Sequence, residues 1–172
     1  MVQPKRKRAP APNRPIRPAK PLKRFDLKIT AAAGRRYVSF LRKYLPAAHA
    51  QLDTALTDLS LALVGDARMS RLHQQFMNIA GPTDVLTFPL EFDPSGRETS
   101  GEVVICVPEA IRQAKARGTR VETELLLYAL HGMLHLSGFD DRTDRGFQRM
   151  HHAEDNILIR LGLGPVFGSL GA

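Results

Sequence analysis

The stretch HGMLHLSGFDD, residues 131–141, decides how this chain is read. His131 and His135 are four residues apart in a segment with helical patterning. That spacing puts both imidazoles on one face, with Cβ atoms roughly 5–6 Å apart, so one cation can bind both. Leu134 and Leu136 are apolar and suited to hold the helix against a core. Gly138 stands where a helix stops, because glycine enters the left-handed region that closes the last turn. The chain can then return Asp140 or Asp141 toward the imidazoles. Two histidines, a glycine turn and a carboxylate make a three-ligand site with an open position, the pattern of a catalytic metal centre. The same spacing also arises when one histidine is exposed and the other is satisfied in a core, and Asp140-Asp141 also suits a helix cap. A peptidase of this geometry carries H-E-x-x-H, with the glutamate as general base. Here that position is Gly132, so peptide hydrolysis is disfavoured. Phosphodiester cleavage is easier to reconcile, since a Lewis acid acts on a phosphoryl oxygen and RNA brings its own 2′-hydroxyl.

Upstream, the chain alternates short apolar runs with helical patterns. FDLKIT (25–30) has strand periodicity. Arg35–Leu45 aligns Val38, Leu41 and Leu45 on a helical face, and Pro46 reads as its stop. LSLALV (59–64) reads as a buried strand, and Asp66 opens a helix through Leu72 and Phe76 that Gly81-Pro82 breaks. VLTFPLEF (85–92) is strand-like, but Pro89 lacks the ladder donor and demands an edge or a strand end. DPSGRETSG (93–101) is turn chemistry, and EVVICV (102–107) is another buried strand. Pro108 opens a helix, Gly118 separates it from a long one over 122–136, and a last helix spans about 143–161. The expected class is α/β (α+β), a small mixed sheet covered by about five helices.

The chain has 172 residues, 43% hydrophobic and 24% charged, which suits one globular domain and excludes a collagen, a coiled coil or wholesale disorder. No apolar run is long enough to span a bilayer. The single cysteine, Cys106, excludes an intramolecular disulfide framework and fits a reducing compartment. The net charge of +8 is uneven: residues 1–28 hold ten Lys or Arg against Asp26 alone, so that segment is +9 and the remainder −1. Residues 1–22 also carry six of the twelve prolines. They read as an extended, disordered basic tail, either an arm that neutralises RNA phosphates or a solubilising linker. A single domain is expected over 23–168. His49, His73, His151 and His152 read as surface or partly buried histidines, Cys106 as a core residue, and Thr83 and Asp84 as braces of a turn beside the metal site.

Three blocks carry a family resemblance. HGMLHLSGFDD resembles the H-G-x-L-H-L-x-G-Y-D-H signature of the YbeY family. GPTDVLTFPLE (81–91) is similar to its P-T-[DN]-V-L-S-F-P block, and GEVVIC (101–106) to its G-D-[IL]-V-I-C strand. The blocks stand in family order, and the resemblance covers Phe25 to Val166. It implies a cytoplasmic, zinc-dependent, single-strand-acting endoribonuclease with a metalloprotease-like metal-binding helix. Such an enzyme matures the 3′ end of small-subunit ribosomal RNA and serves ribosome quality control. Its implied partners are ribosomal or precursor RNA and small-subunit proteins, with no membrane. The implied ligands of one zinc ion are His131, His135 and Asp141. Two positions depart from the pattern. Asp141 stands where the family has its final histidine, and Met77 where it has an arginine thought to assist catalysis, with Ile79 at a lysine two residues on. An aspartate is a legitimate zinc ligand, but its charge takes the site from +2 to +1 and weakens the pull on phosphate. The alternative is therefore a catalytically weak RNA-binding assembly factor of the same fold.

Overall fold

The computed structural model describes residues 24–168; the basic tail over 1–22 lies outside them. Within this span the chain runs β1 (Asp26–Ala31), α1 (Val38–His49), β2 (Asp58–Val64), α2 (Asp66–Met77), β3 (Val85–Phe92) and β4 (Glu98–Cys106), then α3 (Val107–Arg117), α4 (Val121–His135) and α5 (Asp144–Arg160). A single 3₁₀ turn, Arg35–Tyr37, leads into α1. The four strands form one mixed sheet in the order β1-β2-β4-β3. β1, β2 and β4 are parallel, and β3 runs antiparallel along the edge beside β4. Edge placement is what Pro89 requires, and the register slips just beyond it, between Pro89 and Phe92.

Strand alternation splits the core in two. Leu59, Leu61 and Leu63 of β2, with Val103 and Ile105 of β4, face a large cluster shared with α1, α4 and α5. Val64, Val104 and Cys106 point the other way, onto Met69 of α2 and Leu86. The middle of the sheet is thus covered on both faces, as parallel strands require. α4 sits at the centre of the larger layer. Residues 123–130 are buried without a break, so no solvent stripe exists in that half of the helix.

Two boundaries differ from the sequence reading. Pro46 does not stop α1, which continues to His49. Its carbonyl still accepts from Ala50 N at 3.0 Å. Beyond it Ala48 is wholly buried, and His49 is held by Leu56 O at 2.7 Å and by a stack on Phe25 at 3.8 Å. This packing offsets the amide bond that proline lacks. Likewise Glu98–Gly101 belong to β4 rather than to a turn, because Glu91 and Phe92 pair with Ser100 and Glu98. The turn proper is Asp93–Arg97. There the Asp93 carboxylate accepts from Ser95 N (2.8 Å), Ser95 Oγ (2.6 Å) and Arg97 N (3.1 Å).

Candidate metal centre

α4 brings both histidines to the cleft because it lies unusually close to the sheet. A Cβ on Gly132 would stand 2.6 and 2.9 Å from the Val103 methyls and 3.0 Å from Thr87 Oγ1. Gly101 does the same from the sheet side, where a Cβ would meet Leu136 Cδ1 at 2.5 Å. The helix then ends in a turn at Gly138, whose φ of 87° favours glycine. Thr143 caps α5 by accepting from Gly146 N at 3.1 Å. Gly146 has no Cβ where the Asp140 carbonyl presses in. This folds the 138–143 loop onto the start of α5 and presents Asp141 to α4.

His131 Nε2 and His135 Nε2 face each other at 3.1 Å. Asp141 Oδ2 lies 3.6 Å from His131 Nε2, and Oδ1 lies 3.8 Å from His135 Nε2. Among the described residues, these three form the one group of His, Cys, Asp or Glu donors close enough to share an ion. Tetrahedral zinc with bonds of about 2.0–2.1 Å places its donors about 3.3–3.4 Å apart. The histidine pair is close to that value, each Asp141 oxygen lies within a few tenths of an ångström of it from one imidazole, and the donor set of two imidazoles and a carboxylate suits such an ion. The outer ring nitrogens are also engaged, as metal-ligating histidines require. His135 Nδ1 donates to Phe139 O at 3.1 Å, and His131 Nδ1 donates to Glu154 Oε1 at 2.8 Å. Burial presses His131 toward its neutral form. The hydrogen bond and charge of Glu154, with Asp141 and Asp84, outweigh this and carry its pKa upward.

Of the two aspartates in the motif, Asp140 turns away. It forms a forked ion pair with Arg142 (2.7 Å), which pulls its carboxyl down to about 2. Met77 lines the cleft together with Thr87, Phe88, Pro89, His131 and His135, around a cavity of about 390 Å³. Among the described residues no lysine or arginine lines it. Thr83 and Asp84 brace the turn before β3: Thr83 Oγ1 and Val85 N donate to Asp84 Oδ1 at 3.0 and 2.8 Å. They line a separate, polar pocket with Glu109, Gln113, Arg117 and Tyr128. His49, His73 and His152 are not members of the donor group. Cys106 is wholly buried.

Glu154 is the residue that sequence reasoning missed. It is wholly buried, yet it is charged in type and has no neighbouring motif. One signal was available: Met150, Glu154, Ile157 and Leu158 share the core-facing stripe of α5. A glutamate on such a stripe needs a polar partner from another element.

The family model described as Endoribonuclease YbeY matches residues 26–162. The Endoribonuclease YbeY of Moorella thermoacetica is 37% identical over 140 residues, covering 76% of this chain and 90% of that one. That of Beutenbergia cavernae is 44% identical over 109 residues, covering 59% of this chain and 73% of its own. A Thermotoga maritima protein solved in solution superposes with a TM-score of 0.55 at 25% identity, covering 85% of this chain and 98% of that one. With the helix, the glycine turn and the donor group in place, the chain belongs to the YbeY endoribonuclease family.

Proposed function

We propose that this chain is a zinc-dependent endoribonuclease acting on unpaired segments of precursor ribosomal RNA in the cytoplasm. Its roles on this reading are 3′-end maturation of the small-subunit RNA and ribosome quality control, with small-subunit proteins as neighbours. Residues 23–168 form the catalytic domain and residues 1–22 a basic arm on the RNA. The observation that carries the reading is the convergence of His131, His135 and Asp141 at the cleft of a chain in this family. None of the described helices is long and apolar enough to cross a membrane.

His131, His135 and Asp141 would hold the ion. When bound, zinc supplies Lewis acidity toward a phosphoryl oxygen. The protein's own groups do the rest. Glu154 and the Phe139 carbonyl orient the imidazoles. Phe88, Pro89 and Met77 give the cleft an apolar wall, with Phe76 packed edge-on against Phe88 at 4.9 Å. Such a wall suits the faces of unstacked bases rather than a paired duplex. Phosphate attraction would fall to the metal and to the tail, whose residues 1–22 hold seven Lys and Arg and no acid.

The second reading, a weakly catalytic RNA-binding assembly factor, is favoured by Met77. It is 57% exposed in the cleft wall and offers no charge to a developing oxyanion. Metal analysis of the purified chain, then cleavage of one structured RNA with and without chelator, tests the first reading. Bound zinc with chelator-sensitive cleavage is expected. Metal-independent RNA binding without cleavage would select the second. Single-turnover cleavage by Asp141→His, Met77→Arg and the double variant, at equal zinc occupancy, separates a site rebuilt around Asp141 from a weakened one. A rebuilt site loses activity or metal affinity in Asp141→His; a double variant far above wild type overturns that view.

A further inference from the structure

Glu154 is connected on both sides. Its Oε1 accepts from His131 Nδ1 at 2.8 Å, and its Oε2 accepts from His151 Nδ1 at 2.7 Å. The His151 ring is clamped in turn. Phe147 meets it edge-on at 4.0 Å, and Phe167 lies tilted on it at 3.8 Å. Phe167 is pinned through the backbone, where Val166 N and Phe167 N both donate to Asp155 Oδ1, at 2.8 and 3.2 Å. The Arg117 guanidinium, itself paired with the buried Glu124 at 2.9 Å, lies 5.5 Å from the Phe167 ring centre.

We propose that Glu154 and His151 are positioning residues for the metal ligand His131, and that the segment at Val166–Phe167 locks His151 in place. This rests on the reading of His131 as a ligand. The chemistry runs outward from the cleft. Glu154 Oε1 accepts a hydrogen bond from His131 Nδ1–H and so keeps the proton on Nδ1, which leaves the Nε2 lone pair toward Asp141 and His135. A buried carboxyl group held by one donor alone keeps an unsatisfied oxygen and can rotate away. His151 removes that freedom by engaging Oε2. Its own orientation comes from the two phenylalanine rings, one of them contributed by the end of the described chain. Outer-shell partners of this kind typically change metal affinity by about 10–100-fold.

The test is the zinc dissociation constant of the full chain, measured by competition with a chromogenic chelator. Wild type should bind one zinc, and His131→Ala should lose stoichiometric binding. Glu154→Gln loses the charge and can offer its one oxygen to only one of the two imidazole N–H groups, and should weaken binding about 10–100-fold. His151→Phe keeps an aromatic ring but removes the donor, and should weaken it about tenfold. His151→Asn restores a nitrogen donor near the Nδ1 position and should recover most of the affinity. Phe167→Ala should fall between wild type and His151→Phe. A readout independent of any variant is the tautomer of His131 in metal-free wild type at pH 8, by long-range nitrogen–proton correlation. Nδ1 should carry the proton; a proton on Nε2 overturns the proposal, whatever the variants do. Wild-type affinity in folded Glu154→Gln and His151→Phe also overturns it. If wild type binds no zinc at all, the ligand reading fails instead, and the His131 tautomer, which needs no metal, still reports whether Glu154 orients the ring.

Discussion

Replacing Gly132 by alanine tests the close seating of α4 on the sheet. In an isolated helix the change would stabilise by about 1 kcal/mol. Here the new Cβ would stand 2.6 and 2.9 Å from the Val103 methyls, about 1 Å inside ordinary carbon–carbon contact. Val103 has no slack: it is wholly buried on β4, which is paired on both sides by β2 and β3. Overpacking of this sort typically costs about 1–3 kcal/mol, and a doubly paired strand puts this case at the upper end. The net expectation is a loss of about 2 kcal/mol, or a Tm lower by about 4–8 °C in a chain of this size. Unfolding should be followed with chelator present, so that metal linkage does not enter. Val103→Ala removes both offending methyls. The double variant should therefore be less destabilised than the two single losses added, by about 1–2 kcal/mol. Zinc affinity of Gly132→Ala should also fall, since His131 is the next residue back along the displaced helix. A Tm raised by about 2–4 °C, the value of helix propensity alone, would refute the close-contact argument.

Three further outcomes are expected. Deleting residues 1–22 should leave the unfolding transition unchanged and flatten the dependence of log RNA affinity on log salt, because the segment holds most of the excess positive charge; an unaltered slope makes it only a linker. Cys106, whose thiol burial and the neighbouring Asp66 push up to about 11, should resist a small thiol reagent at pH 8 in the native protein and react once unfolded. Asp66 is held below its ordinary value chiefly by hydrogen bonds from Arg112, at 2.8 and 3.0 Å. A depressed carboxylate contributes stability above its unfolded pKa and loses it as pH falls through the folded one. Arg112→Met should thus move the Asp66 midpoint upward in an NMR titration, and an unmoved midpoint counts against the pair.

Much of the fold is legible because local and tertiary demands agree. The alternation in FDLKIT, the apolar run LSLALV and the edge signal of Pro89 each describe what the sheet needs at that place. Where they disagree, tertiary packing prevails. Pro46 is a helix breaker by its missing amide, but Ala48 and His49 are buried only if the helix goes on. Residues 98–101 have turn composition, but the antiparallel partner β3 supplies a ladder for them. The donor group is legible because three of its determinants, His131, His135 and Gly138, lie within one short segment. Glu154 was not, because its partner His131 is 23 residues away and only the packing of α5 on α4 joins them.

Gly132 shows how the two levels differ in what they exclude. From the sequence, a peptidase is disfavoured because the glutamate that should activate water is absent. A base supplied from elsewhere, or a variant that restores one at position 132, would meet that objection. In the structure, a Cβ at position 132 would press on the Val103 methyls of β4 and on Thr87 at the cleft wall. A glutamate there would first have to displace Val103, which is wholly buried. The same contact that bars the peptidase base brings α4 onto the sheet and its two imidazoles beside the apolar wall of β3. The helix spacing is therefore that of metallopeptidases, but the position of their base is closed here by contact with the sheet. What the cleft offers instead is a three-donor centre, an apolar wall and no general base on the metal-binding helix, which is better matched to a substrate that carries its own nucleophile.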